Sequence, residues 1–426
     1  MNKQTSKQSW VAGVLIISFG WFLLYATRTA LSSALKDIGE YWSLSEGFLG
    51  FIASSFFFAY AVLQIPTGIL ADKFGARKMI MLGFAGQGAG LLLGVLSRSP
   101  YQFLLSRVLT GAGQAPYFAA QQAILFFMLP PERRARGIAI TSVGAGLGSA
   151  AGFVLGKFLG NSALGWKMPF AVLAMLAAAF ILVVLRGVPE PPLGGGGEPE
   201  IAAEAGDVTQ ARATEQRGQT GIAGILSQIG PRWKFLAFMA GCHFTTMYAL
   251  NLILTWLPYY LEAVMGFEGE LAAVIPVVMP LIMAPAAVVW GGAADKRQNK
   301  DLVLWICLPI AGVAVALLPV MGSAALFVLA LAVYGMTGKL AFDPVLTAKV
   351  SENAPPSAHS SFLAAYNLAA SLAMVIAPSA TGLIAEKFGS FNISFYMAGG
   401  FHFLALLCLV LAERSVVKAE RQQTDI

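Results

Sequence analysis

The chain has 426 residues, of which 57% are hydrophobic and only 12% charged, and its mean hydropathy is +0.70. So few ionic groups cannot clothe a water-facing surface, which excludes a soluble enzyme and makes lipid the solvent of the folded chain. The formal net charge of +6 belongs to loops that follow membrane topology, so no nucleic-acid partner is expected.

A spanning helix needs about 20 mostly apolar residues, and runs of that length recur along the chain. The first, Trp10 to Leu35, is longer than the roughly 7–15 apolar residues of a signal-peptide core and lacks a small-residue cleavage pattern. It reads as a retained span, and no targeting peptide is evident. Further runs fall near 47–71, 78–97, 101–129, 137–160 and 166–186, then 232–262, 268–294, 302–321, 323–348, 358–385 and 390–412. The predicted fold is an all-α polytopic membrane protein of twelve transmembrane helices in two six-helix halves. Its parts are a first bundle over 1–186, a flexible cytoplasmic linker over 187–231, a second bundle over 232–412 and a cytoplasmic tail over 413–426. The linker contains Pro191, Pro192 and the run Gly194 to Gly197, a composition that cannot bury a core. Within it, Gly221 to Ile229 reads equally as a short interfacial helix or as coil.

Cytoplasmic loops of membrane proteins carry the excess of Lys and Arg. With both termini inside, 20 of the 28 Lys and Arg fall in cytoplasmic segments and five in outer loops, leaving Arg28, Arg107 and Lys339 within spans. The expected location is the cytoplasmic (inner) membrane of the cell. Cys242, Cys307 and Cys408 lie in separate apolar runs, and His243, His359 and His402 are equally scattered. Neither set has metal-ligand or triad spacing, so no disulfide, metal, cofactor or covalent catalysis is expected.

The second and eighth spans end alike, on Gly68-Ile69-Leu70-Ala71-Asp72-Lys73-Phe74-Gly75-Ala76-Arg77-Lys78 and on Gly291-Gly292-Ala293-Ala294-Asp295-Lys296-Arg297. Each copy sets a Gly four residues before an Asp at a cytoplasmic helix end, with basic residues following. A small residue allows close helix approach, and the carboxylate can pair with a neighbouring helix end or Arg. Gly68, Asp72, Gly75, Arg77 and Asp295 are therefore candidates for a conformational latch, and simple helix stops with positive-inside charge are the alternative.

With twelve spans, a central linker and both loop motifs in order over essentially the whole chain, the sequence resembles the major facilitator superfamily. The loop 2–3 signature of that superfamily is matched by Gly68, Asp72, Gly75, Arg77 and Lys78. Within it, three segments are similar to the anion:cation symporter family: Tyr25 to Ala30, Arg107 to Pro116, and Leu254-Thr255-Trp256-Leu257-Pro258-Tyr259-Tyr260-Leu261. The resemblance implies a monomeric transporter of carboxylates such as sugar acids, aromatic acids, glutamate or sialic acid. It places Arg28 on the family's substrate-anion arginine. Thr27 and Gln114 depart from the pattern, standing where many relatives have the carboxylates linked to proton coupling and substrate binding. The fifth span runs Gly144, Gly146, Gly148, Gly152 without the Gly-Pro pair of antiporter relatives, which favours uptake by symport over drug/proton exchange.

A charged residue at a helix centre costs roughly 2.5–3.5 kcal/mol on insertion scales, so it normally faces a cavity or a partner. Arg28 shares a helix face with Tyr25, Thr29 and Ser32; Gln114, Tyr117 and Gln121 form a stripe on the fourth span, and Tyr248, Asn251 and Thr255 one on the seventh. Lys339 and Asp343 are four apart on the tenth. The resemblance implies that these four spans surround the central path. The candidate substrate ligands are thus Arg28, Lys339, Tyr25, Gln114, Tyr117, Gln121, Tyr248 and Asn251, with Arg28 and Lys339 gripping one anion from opposite halves. Asp343, the only acid well inside a span, is by elimination the candidate proton carrier. Lys339 and Asp343 read also as a permanent ion pair, Arg107 as a structural residue, and the tyrosines as packing hydrogen bonders. The expected partners are a small organic anion, protons and membrane lipid. An uncoupled facilitator or an anion exchanger is the first alternative, and a non-transporting receptor the remote one.

Overall fold

The computed structural model describes residues 3–192, 232–297, 300–355 and 359–424, and every regular element among them is helical. Most of the expected linker, including Gly221 to Ile229, lies outside the described residues. The first half holds α1 (Lys3–Trp42), α2 (Glu46–Phe74), α3 (Ala76–Leu96), α4 (Pro100–Gln114), α5 (Tyr117–Met128), α6 (Pro131–Phe158) and α7 (Met168–Gly187). The second holds α8 (Trp233–Tyr259), α9 (Gly269–Val274), α10 (Val278–Arg297), α11 (Lys300–Leu317), α12 (Ala324–Thr337), α13 (Lys339–Glu352), α14 (His359–Phe388) and α15 (Asn392–Thr424).

Among the described residues, 10 helices are long and apolar enough to cross a membrane on length and composition. The two other spans of the twelve are present as helices with local peculiarities. The fourth is divided between α4 and α5, because Pro116 has no N–H to give and its ring crowds the carbonyl one turn back. The fifth, α6, is rich in Gly, Ala and Ser and opens on a charged stretch. The tenth is likewise interrupted, at Gly338, where ψ of −178° extends the chain between α12 and α13. The fourth span of each half is therefore broken, at corresponding places. Serine side chains cap three helices at chain reversals: Ser45, Ser99 and Ser323 accept from the N–H groups of Phe48, Gln102 and Leu326. At the other end of the chain α15 runs on to Thr424, beyond the apolar run that stops near 412.

α1 and α6 form the most intimate crossing. Gly144, Gly148, Gly152 and Gly156 recur every fourth residue of α6, and a Cβ on any of them would press on α1: at 148 it would stand 2.6 Å from the Phe22 Cα. With no hydrophobic force separating helices from lipid tails, such small-residue ridges are what bring membrane helices together.

Because successive spans reverse direction, the bundle has a terminal face, bearing the chain ends and the α2–α3 loop, and a far face bearing the α1–α2 loop. One large apolar core fills the far side and draws on both halves, joining Leu35, Ile52, Phe103 and Trp166 to Trp256, Tyr260, Leu318 and Phe395. Towards the terminal face the core divides. One cluster there is made only of first-half residues between Val14 and Val188, the other only of second-half residues between Phe235 and Ala412.

Polar links repeat the pattern. On the far side they join the halves: Lys36 Nζ reaches Glu262 Oε1 at 3.0 Å, and Lys157 Nζ reaches both Glu262 oxygens at 2.9 Å. The Gly47 N–H donates to Glu386 Oε2 at 3.1 Å, and Ser379 Oγ donates to Ser54 Oγ at 2.7 Å. On the terminal side the links among described residues stay within a half, as with Arg77 and Glu190, Lys349 with Asp301 and Glu413, or Lys300 with Glu352. The halves are clamped at the far face and parted at the terminal face.

Candidate functional site

Between the halves, next to the break at Gly338, lies a cavity of about 70 Å³, room for several waters. From the first half Tyr25, Arg28, Ser32 and Arg107 line it; from the second, Asn251, Thr255 and Leu340. None of its lining residues is acidic.

Arg28 is held by Gln114 and lies beside Tyr60. Its Nε donates to Gln114 Oε1 at 3.0 Å, and the Gln114 amide in turn donates to the Leu24 carbonyl at 3.3 Å, so the last residue of α4 fixes the plane of the guanidinium. Rings surround the group, with its central carbon 4.8 Å from the Tyr25 centroid and 5.0 Å from that of Tyr60. Nη2 is buried and has no hydrogen-bond partner. Arg107 is 2% exposed, stacks on Phe56 at 4.8 Å, and leaves both Nε and Nη1 unpartnered. Two guanidiniums thus face one cavity with donors to spare and no carboxylate to receive them. Thr27, beside Arg28, is tied off: it donates to the Leu23 carbonyl and accepts from Gln87 Nε2 at 3.0 Å.

The other residues singled out in the sequence are dispersed. Asn251 lines the cavity while its Nδ2 donates to the Met247 carbonyl at 2.9 Å. Tyr117 points away, its hydroxyl donating to the Ile17 carbonyl at 2.6 Å, which makes it a packing residue between α5 and α1. Gln121 and Tyr248 are buried, the latter against Phe401. Lys339 does not join Arg28. It is fully buried and paired with Asp343, whose side chain is 33% exposed and lies 3.9 Å from His243 Nδ1. Arg107, which the sequence left between a ligand and a structural role, is the residue that the fold brings to Arg28. No local pattern pairs them; they meet because both lie over the ring of Phe56 on α2, Arg28 at 5.7 Å and Arg107 at 4.8 Å.

At the terminal face Gly75 has φ of 101°, a conformation open to glycine and strained for other residues. That turn presents the Arg77 N–H to Glu190 Oε1 at 3.0 Å, while Arg77 Nη1 donates to the Val188 carbonyl at 3.4 Å. The α2–α3 loop is thereby fastened to the exit of α7, an attachment to Glu190 that the motif itself did not announce. Gly68 meets only the Ala119 Cβ, at 3.6 Å. Asp72 is exposed in the last turn of α2, and Asp295 stands in the last turn of α10.

The model of the Major Facilitator Superfamily matches residues 17–378 and 303–425. The chain belongs to that superfamily. It is therefore a multi-pass membrane transporter and not an enzyme. Among curated relatives it is 26% identical to the "Hexuronate transporter" of Bacillus subtilis, over 95% of this chain and 94% of the relative. It is 24% identical to the "Probable galactarate/D-glucarate transporter" of Escherichia coli, over 96% of each. In shape it matches a bacterial homologue of the lysosomal transporter Spinster with a TM-score of 0.76 at 17% identity, covering 98% of this chain and 99% of that one. A D-xylose-proton symporter matches at 0.72, also at 17% identity, over 95% and 97%.

Proposed function

We propose that this superfamily member carries a small organic anion across the cytoplasmic membrane by alternating access, in symport with protons. The observation that carries the reading is the pair of arginines, Arg28 and Arg107, with three buried N–H-bearing nitrogens unsatisfied around an acid-free cavity. An uncompensated buried cation is costly, and a carboxylate is the group that relieves it: two oxygens accept from the free edges of two planar forks. The sugar-acid transporters among the relatives favour a hexuronate or aldarate as cargo. Broken fourth spans in both halves support a midplane site, since interrupted helices at corresponding positions mark binding sites in transporters built from repeats.

The terminal face is the cytoplasmic one in this reading, both termini lie inside, and the parted terminal side makes the state inward-open. The protein works as a monomer. Asp343 belongs to the coupling centre, because Thr27 and Gln114 leave no acid beside the arginines. The same neutrality favours a second reading, uncoupled exchange of anions. Reconstituted vesicles separate the two. Labelled D-glucuronate or D-glucarate should concentrate inside when only an inwardly directed proton gradient is imposed, whereas an exchanger needs counter-substrate and ignores the gradient. Uptake of neither acid, with or without preloading, contradicts the anion reading.

A further inference from the structure

One carboxylate in the second half is shared among more groups than a simple ion pair requires. Lys339 and Asp343 extend from α13, and α8 turns His243 towards the same carboxylate, 3.9 Å from Nδ1 to Oδ1. His243 is 3% exposed, and its Nδ1 has no hydrogen-bond partner. Its ring lies against Tyr366 of α14, with centroids 4.1 Å apart, so its tilt is set by packing. From α15 the Cys408 sulfur lies 3.3 Å from a Cβ built on Gly241, two residues away. On α1, Arg28 and Lys36 are engaged with Gln114 and Glu262.

We propose that His243 is the residue that holds the coupling proton, with Asp343 as its counter-ion and its contact with water; this rests on the proton-symport reading. Two sites compete for an incoming proton. Placing it on Asp343 strands the fully buried Lys339 ammonium with no counter-charge, the situation in which a broken buried pair is most destabilising. On His243 it leaves the carboxylate ionised between two cations, and closing the 3.9 Å gap adds a charge-assisted hydrogen bond from Nδ1–H. Burial of the ring and the nearby Lys339 charge oppose an imidazolium, so His243 takes the proton when cargo is bound. In the step, a hydronium in the cleft gives its proton to Nδ1 and becomes water; release on the other side reverses it.

The cluster also stands where an anion can act on it. His243 and Met247 are four apart on one face of α8, Met247 lines the arginine cavity, and so does Leu340, the neighbour of Lys339. Cargo bound to Arg28 and Arg107 offsets the charge gained at His243, so anion and proton bind together.

The test compares His243→Gln, His243→Asn and Asp343→Asn in vesicles, reading labelled D-glucuronate counterflow and pH-driven accumulation. It is joined by infrared difference spectra of the purified protein on acidification, which need no substrate. Both His243 variants should keep counterflow yet accumulate no more than the equilibrium level, and the wild-type spectrum should show imidazolium bands that His243→Gln removes. If the His243 variants still concentrate substrate while Asp343→Asn does not, the proton sits on the carboxyl; His243 is then overturned and symport stands. Concentration by all three removes Asp343 from the coupling centre as well, and a wild-type protein that concentrates nothing under the pH gradient overturns symport itself. If the His243 variants lose counterflow through misfolding, the spectrum decides: a protonated-carboxyl band that Asp343→Asn removes refutes His243.

Discussion

Side chains with nothing to bond carry most of the meaning here. Arg28 gives one donor to Gln114 and Arg107 rests on the Phe56 ring, and both keep unpartnered donors beside the cavity. Replacing either by lysine keeps the charge and loses the planar fork. Losing one charge-assisted hydrogen bond is worth about 1.5–3 kcal/mol, so Arg28→Lys and Arg107→Lys should each raise the half-saturating concentration of a transported sugar acid about 10- to 100-fold, with normal amounts of protein in the membrane. Unchanged uptake curves for both would remove the arginines from the site. The sequence made Arg28 legible because charge within an apolar run is conspicuous. Gln114 was legible as part of a stripe and as a departure from the family pattern, but not as the partner of Arg28, since that contact spans 86 residues of chain. His243 was invisible, as a lone histidine in an apolar helix looks the same whether it packs or titrates.

Helices were the easiest level to read, because lipid demands continuous apolar length and loops collect the charges. What escaped was where helices fail: Pro116 and Gly338 are ordinary letters until the chain around them is known to be buried. The glycines of α6 were visible as a small-residue run, but their partner was not. The contact explains them, since a valine at 148 would drive its branches into the α1 backbone near Phe22. Gly148→Val should therefore lower the melting temperature in detergent and sharply reduce the protein recovered from membranes. The same change at Gly291, where nothing lies within 4 Å, should leave both near wild type. Similar losses at the two positions would contradict close α1–α6 packing. In the loop, Asp72→Asn should slow turnover several-fold while leaving the apparent affinity for substrate unchanged, because Asp72 lies away from the cavity. A comparable fall in affinity, read from the same uptake curves, would place Asp72 in the site instead.

For the molecule as a whole, the merged core on one side and the divided core on the other describe a transporter caught at one end of its stroke. Glu262 sits in a π-helical turn, Tyr260–Val264, that follows Pro258 and projects from the second half between two lysines of the first. That clamp exists only while the far face is closed. Glu262→Gln removes the charge from both pairs, and a loss of about 1.4 kcal/mol shifts a two-state population tenfold. Spin labels placed on the α1–α2 loop and on the α14–α15 loop should therefore report a larger share of long distances in the variant. An unchanged distance distribution would mean that the apolar core and the other polar links hold the closure without Glu262. This level was beyond the sequence, for which of two arrangements a chain adopts depends on small differences between contacts hundreds of residues apart.

The clamp has a second consequence once it opens. When Glu262 withdraws with its own half, Lys36 and Lys157 remain on the other, beside Asp37 and Glu40. The doorway then loses one negative charge and frees two ammonium groups at the moment it becomes a doorway. Lys36 stands eight residues beyond Arg28 on α1, about 12 Å along the helix, so an arriving anion meets one positive charge at the threshold and two more within. Such a gradient draws anions in and gives capture rates that fall as ionic strength rises. The lock, once released, serves as the lure.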